Sequence, residues 1–284
     1  MISEFAELLR YRELVAQLVV RDLKVRYKNS VLGFFWSLAN PLVQVATITI
    51  VVKYVMRLDI PNYSAYLLVA YLPWVFFQMT LMDASDVIMG HHRDLLRKVY
   101  FPREVLPISS VISNLIHFML ALVVFFAYLL FYHLVLHGAP VSSGALLLPA
   151  LLAMQVMLLV GLSFFVSCLN VFYEDTKYLL VALLNVLFYL TPVMYPAELI
   201  YIRLPEAHRE LLYRLYLLNP VNALMDAYRK SLLPPFEGHV RGATVHSLGI
   251  DWLMLGVCAL VCAAVAVGGY AFFNARKWSF AERA

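Results

Sequence analysis

The sequence predicts an all-α integral membrane fold. Six transmembrane helices are expected, with an N-terminal amphipathic helix at the interface and re-entrant half-helices before the last span. Three observations carry this. Of 284 residues, 63% are hydrophobic and only 14% are charged, whereas soluble chains run near 45–50% apolar and about 25% charged. The apolar residues gather into runs of the roughly 20 residues that a bilayer requires. Lys and Arg concentrate in alternate connecting segments.

In the first segment, residues 1–32, polar side chains fall at Ser3, Glu7, Arg10, Glu13, Gln17, Arg21, Lys24 and Lys28. Steps of three and four place them on one helical face. A basic amphipathic helix just before a span is expected to lie in the interface rather than cross it; a helix packed on a soluble partner is the alternative. The scattered charges and the lack of a short apolar core argue against a cleavable signal peptide.

The transmembrane domain is read over 33–273, with spans at 33–56, 63–88, 106–134, 145–168, 178–195 and 249–273. The fifth is short and ends near Thr191 and Pro192. The segment 196–247 alternates short apolar stretches with Pro196, Pro205, Pro220, Pro234 and Pro235. Re-entrant half-helices and a small external cap both fit that pattern. The last span carries Gly256, Ala264 and Gly268, small residues at four-residue spacing that suit close helix packing. Cys168, Cys258 and Cys262 lie in apolar runs without metal-type spacing, so packing roles are expected.

Orientation follows from the basic residues near the span ends. Arg10, Arg12, Arg21, Lys24, Arg26 and Lys28 precede the first span. Arg93, Arg97, Lys98 and Arg103 lie in the loop 89–105, Lys177 closes the loop 169–177, and Arg276, Lys277 and Arg283 lie in the tail 274–284. The short loops opposite offer Lys53 and Arg57, and the long loop between the fifth and sixth spans carries six more, but long loops weigh less in this rule. Both termini are therefore expected on the cytoplasmic side of the plasma (inner) membrane.

Chemistry of its own is not expected. The chain lacks a G-x-x-x-x-G-K-[ST] phosphate loop, and its spans are nearly free of the ionisable groups that ion-coupled carriers use. Asp83 and Asp86 form an i, i+3 carboxylate pair near the cytoplasmic end of the second span, for which contact with the basic N-terminal segment or with water is favoured over catalysis. His117 in the third span reads as a packing histidine. A membrane glycosyltransferase or acyltransferase would need a polar catalytic cluster at one face, and this pair is a poor candidate. No metal site, catalytic residue or nucleic-acid partner is expected.

Four blocks in order give a resemblance. They are residues 21–41 (RDLKVRYKNSVLGFFWSLANP), 98–107 (KVYFPREVLP), 170–177 (NVFYEDTK) with 190–196 (LTPVMYP), and 218–229 (LNPVNALMDAYR). They resemble type-2 ABC exporter permeases, in particular the branch that exports O-antigen, capsule and wall teichoic acid chains. Glu174 departs from the basic residue expected in many relatives.

The resemblance implies a homodimer that docks two cytoplasmic ABC ATPase subunits. Those subunits would bind ATP and Mg, with no cofactor in this chain. His91, His92, Arg93, Asp94, Leu95, Arg97, Lys98, Phe101, Pro102 and Arg103 would form the main coupling segment, and Glu174, Asp175 and Lys177 a second contact. The substrate would be a lipid-linked polymer, admitted near Arg21, Lys24, Arg26 and Lys28. Aromatic rings offer flat apolar faces to sugars, so Phe34, Trp36, Tyr54, Trp74, Phe77, Tyr189 and Tyr195 are candidates to line the path. A narrower permease for a small amphiphile or drug is the alternative within the same family.

Overall fold

The computed structural model describes residues 10–27, 34–55, 60–91, 101–136, 142–240 and 243–280. Helix α1 spans Arg12–Tyr27, and α2 spans Phe34–Ile50, extended by a π turn Val51–Val55. Helix α3 spans Tyr63–Asp86 and runs into a second π turn, Val87–His91. Next come α4 (Val105–Leu136), α5 (Leu148–Phe172) and α6 (Thr176–Leu190). Three shorter helices follow: α7 (Ala197–Arg203), α8 (Arg209–Leu217) and α9 (Pro220–Leu232). A hairpin of β1 (Glu237–Val240) and β2 (Ala243–His246) leads to the last long helix, α10 (Trp252–Arg276).

Among the described residues, four helical stretches are long and apolar enough to cross a bilayer: Tyr63–Gly90, Val105–Val135, Gly144–Phe172 and Trp252–Ser279. The other two expected spans are helical as well, and one of them is short. Helix α6 has 15 residues, about 22 Å at 1.5 Å per residue against a core of about 30 Å. Helix α2 has 17 residues and contains Pro41.

Among the described residues the one sheet is an antiparallel hairpin, in register Glu237↔His246 and Val240↔Ala243, which the all-α expectation did not include. The segment after α6 takes the form of short helices. Helix α9 packs against α3, α5 and α10 along much of its length. Its first residue, Pro220, accepts at its carbonyl from the thiol of Cys258, about a turn and a half inside α10.

Helix α3 is the centre of the bundle. In its most apolar window 78% of residues are buried, against 17% in that of α10. Helices α4 and α5 pack on it, as do α2, α6 and α9. The closest helix pair is α5 with α10. A Cβ on Gly161 would lie 2.2 Å from the Val265 carbonyl oxygen, and one on Gly269 would lie 2.1 Å from that of Gly161. The expected small residues Gly256 and Gly268 have nothing within 4 Å at that position. Close approach therefore rests on the neighbouring Gly269, one step round the helix. Cys168, Cys258 and Cys262 are buried free thiols, and the last two have sulfurs 3.9 Å apart.

Two core clusters mark the ends of the bundle. At the end holding α1, Leu18 joins Val87, Ile88, Phe101, Val105, Leu106, Phe164, Phe273 and Phe280. At the hairpin end, Ala197, Tyr213 and Leu217 tie α7 to α8.

Candidate functional site

Helix α1 carries the first polar site. Its buried stripe begins apolar, with Leu18 and Val19, but ends on Asp22 and Arg26, while Val20 and Val25 face outward. The two faces are therefore less cleanly divided than the amphipathic expectation. Arg26 turns inward: its Nη2 bonds Asp83 Oδ2 at 2.7 Å and its Nη1 donates to Asn114 Oδ1 at 3.0 Å. Asn114 Nδ2 donates in turn to Asp83 Oδ2 at 2.8 Å and to the Ser110 carbonyl at 3.0 Å. This closed triangle joins α1, α3 and α4. It borders a cavity of about 250 Å³ lined by Arg21, Asp22, Val25, Arg26, Asp83, Val87, Ser110 and Ser113. The formal charges in that lining balance. The buried Ser113 hydroxyl has no hydrogen-bond partner among the described residues. Arg21 and Lys24 are exposed, with Arg21 3.7 Å from Asp22. Lys28 lies outside the described residues.

The two loops that resemble ATPase contacts meet the same end. His91 closes the π turn that continues α3; its side chain, and His92, Arg93, Asp94, Leu95, Arg97 and Lys98, lie outside the described residues. Phe101 is buried in the core cluster there and Pro102 is half-buried. Arg103 is not presented outward alone: it donates to the Lys277 carbonyl and lies over the Phe280 ring at 5.7 Å. Glu174 and Asp175 are exposed at the start of α6, and the Lys177 ammonium sits 5.2 Å over the Tyr178 ring.

The aromatic candidates divide by burial. Trp74 and Phe77 pack 5.6 Å apart in the main core, with Phe188 5.5 Å from Trp74, so they are interior residues rather than an open surface. Tyr54 is 72% exposed and Tyr189 68% exposed. The Tyr195 hydroxyl donates to the Tyr189 and Leu190 carbonyls. Phe34 and Trp36 lie on α2, their side chains outside the described residues.

Two features escaped the sequence reading. The first is an exposed polar stripe on α2. Asn40, Gln44 and Thr47 stand outward at four- and three-residue steps, and Tyr71 of α3 donates to Gln44 Oε1. Helix α6 exposes Tyr178, Asn185 and Tyr189. The 40, 44, 47 spacing is visible inside an apolar run and could have signalled it.

The second is a buried ionic cluster at the hairpin end. Lys230 Nζ lies 2.6 Å from Asp226 Oδ2 and 3.8 Å from Glu198 Oε1. Glu198 also accepts from the Leu248 backbone N–H at 3.1 Å. Burial pushes the Asp226 carboxyl up to about 6, against the pull of the Lys230 charge. Arg229 clamps the loop after α6, donating to the Tyr195 carbonyl at 2.9 Å, to the Val193 carbonyl and to the Tyr66 carbonyl at 3.3 Å. It also stacks over the Tyr66 ring at 4.1 Å. The i, i+4 spacing of Asp226 and Lys230 was the available signal; their partner Glu198 was not, because it comes from another helix.

Residues 13–233 match the family model described as ABC-2 type transporter. One relative, an O-antigen export system permease protein RfbA from Myxococcus xanthus, is 34% identical over 229 residues, covering 81% of this chain and 84% of its own. Another protein of that name, from Klebsiella pneumoniae, is 29% identical over 270 residues, covering 95% and 94%. With four membrane-length helices and a family match from α1 to the end of α9, the chain is a membrane protein of the ABC-2 type transporter family.

Proposed function

We propose that this chain is the permease subunit of an ATP-driven exporter, which moves a lipid-linked polysaccharide of the O-antigen kind from the cytoplasmic to the outer face of the plasma membrane. The observation that carries the reading is the set of exposed polar and aromatic residues on α2 and α6, two helices that both reach Tyr71 of α3. Asn40, Gln44 and Thr47 on one helix, and Tyr178, Asn185 and Tyr189 on the other, are exposed in a fold whose other exposed large apolar side chains are mostly Leu and Val. Polar groups facing hydrocarbon are costly and tend to face a bundle interior or a water-filled cavity. A second copy of the chain would enclose such a cavity between the two faces. Sugar rings would then meet Tyr faces and amide hydrogen bonds rather than lipid.

In this reading six segments cross the membrane, both termini are cytoplasmic, and two ABC ATPase subunits, binding ATP and Mg, dock at the end holding α1. The residues 89–105 and 169–177 receive them. Arg21, Lys24 and Lys28 attract the anionic lipid carrier generally, at about 1 kcal/mol per basic residue, while Arg26 serves the triangle with Asp83 and Asn114. The relatives named as O-antigen export permeases favour the polysaccharide over a small amphiphile.

Reconstitution of the chain with its ATPase in proteoliposomes tests this, with lipid-linked polysaccharides and small amphiphiles offered in turn. Polymer-dependent ATP hydrolysis and transfer, lost on replacing Gln44 and Asn185 by Leu, is the expected result. Stimulation by small amphiphiles with no response to any polymer sinks the proposal.

A further inference from the structure

Between the two loops read as ATPase contacts lies the tail that follows α10. A 3-10 turn, Lys277–Ser279, folds it back under the bundle. Lys277 Nζ bonds Glu104 Oε1 at 2.7 Å, with side-chain exposures of 15% and 4%. Arg103 donates to the Lys277 carbonyl and lies over the Phe280 ring. Phe280 is fully buried; its ring centroid stands 6.0 Å from that of Phe172 and 5.3 Å from that of Phe273. Arg103 and Glu104 close the segment 89–105 and lead into α4. Phe172 ends α5 and opens the segment 169–177. Phe273 belongs to the last turns of α10. One short tail thus touches the roots of both loops and of the last helix. An isolated buried charge is expensive, so the Lys277–Glu104 pair fixes the position of the tail more narrowly than packing alone would.

We propose that residues 276–280 are a coupling strut, with Lys277 and Phe280 as positioning residues that lock the two loop roots to α10. A push delivered to either loop then moves α4, α5 and α10 together, instead of being absorbed as local bending of one loop. Packed elements that share a buried pair and an aromatic wedge respond as a unit, in the manner of rigid-body switching. The inference rests on the reading of those loops as ATPase contacts. It adds a role for the tail, which makes no ATPase contact in this scheme.

The test uses the full chain co-expressed with its ATPase in cells lacking their own copy. Three quantities are read: co-purification of the ATPase, ATP hydrolysis by the purified complex, and polymer recovered from the cell surface. Lys277→Met and Phe280→Ala should keep assembly and hydrolysis while surface polymer per ATP hydrolysed falls roughly two- to thirtyfold, the range for residues that carry coupling. The charge-swapped double variant Glu104→Lys/Lys277→Glu should recover most of the loss. Normal export by both single variants overturns the strut. So does loss of the assembled complex in every variant, swap included, because the tail would then only hold the fold. Arg93→Glu/Arg97→Glu separates the underlying reading: normal assembly, hydrolysis and export in that variant rejects the loop assignment, whatever the tail variants do.

Discussion

Replacing Gly161 by Ala places one methyl group where α5 and α10 cross. Its Cβ would sit 2.2 Å from the Val265 carbonyl oxygen, 2.5 Å from that carbonyl carbon and 2.7 Å from the Ala266 Cα. All three obstacles are backbone atoms, so no rotamer change relieves them, and the helices must separate. Overpacking of this kind costs about 1–3 kcal/mol. Membrane helices depend on close packing for association, which makes the loss hard to recover elsewhere. At about 2–4 °C per kcal/mol for a chain near this size, the unfolding midpoint should fall by about 2–12 °C. The three buried thiols, Cys168, Cys258 and Cys262, allow a thiol-reactive fluorophore to report unfolding in detergent. Gly269→Ala should behave like Gly161→Ala, since its Cβ meets the Gly161 carbonyl at 2.1 Å. Gly256→Ala and Gly268→Ala, with open space at that position, should unfold with the wild type. A Gly161→Ala protein with an unchanged midpoint, or an equal fall for Gly268→Ala, refutes the reasoning.

Arg26→Met should loosen α1 from the bundle. The pair with Asp83 is part-exposed, 21% and 43% by side chain, so screening holds the effect to about 1 kcal/mol, or roughly fivefold faster trypsin cleavage within α1. Adding Asp83→Asn should cost little more, and additive losses would show that the two residues act separately. Asp226 gives a pH dependence of defined sign. Its carboxyl is raised from 3.8 to about 6 in the fold, so its contribution to stability is fully present below about 4 and lost as pH rises through about 6. The wild-type unfolding midpoint should therefore rise relative to that of Asp226→Asn on acidification from pH 7 to 5, and a difference independent of pH contradicts the assignment.

Local periodicity made the membrane class and the main helices legible. Runs such as 106–134 and 249–273 have the length and composition of spans, and the structure places long helices there at Val105–Leu136 and Trp252–Arg276. Periodicity also failed in specific ways. It set the end of the fifth span at 195 because apolar composition continues past the end of α6, at Thr191–Val193, where the chain turns instead. It placed the close approach on Gly256 and Gly268, because which glycine meets the neighbour depends on helix rotation, and that is set by α5. The expected contact of Asp83 with the basic N-terminal segment is the one Arg26 makes across 57 residues, but Asn114, 88 residues from Arg26, was not foreseen as the third member. The tie between Lys277 and Glu104 spans 173 residues. Such pairs are made by the assembled bundle and leave no trace in any window of the chain.

The clamp made by Arg229 has a mechanical side. Helix α6 buries only Leu180 and Leu184 along its length, yet the loop at its far end is held through the carbonyls of Val193 and Tyr195. It is thus a rod lightly braced along its shaft and held at both ends, by Arg229 at one and at the other by the tight turn from α5, where the Thr176 N–H and hydroxyl both donate to the Tyr173 carbonyl. A rod tied in this way passes a displacement of α5 along its length to the Val193–Tyr195 loop, and neither end can swing alone.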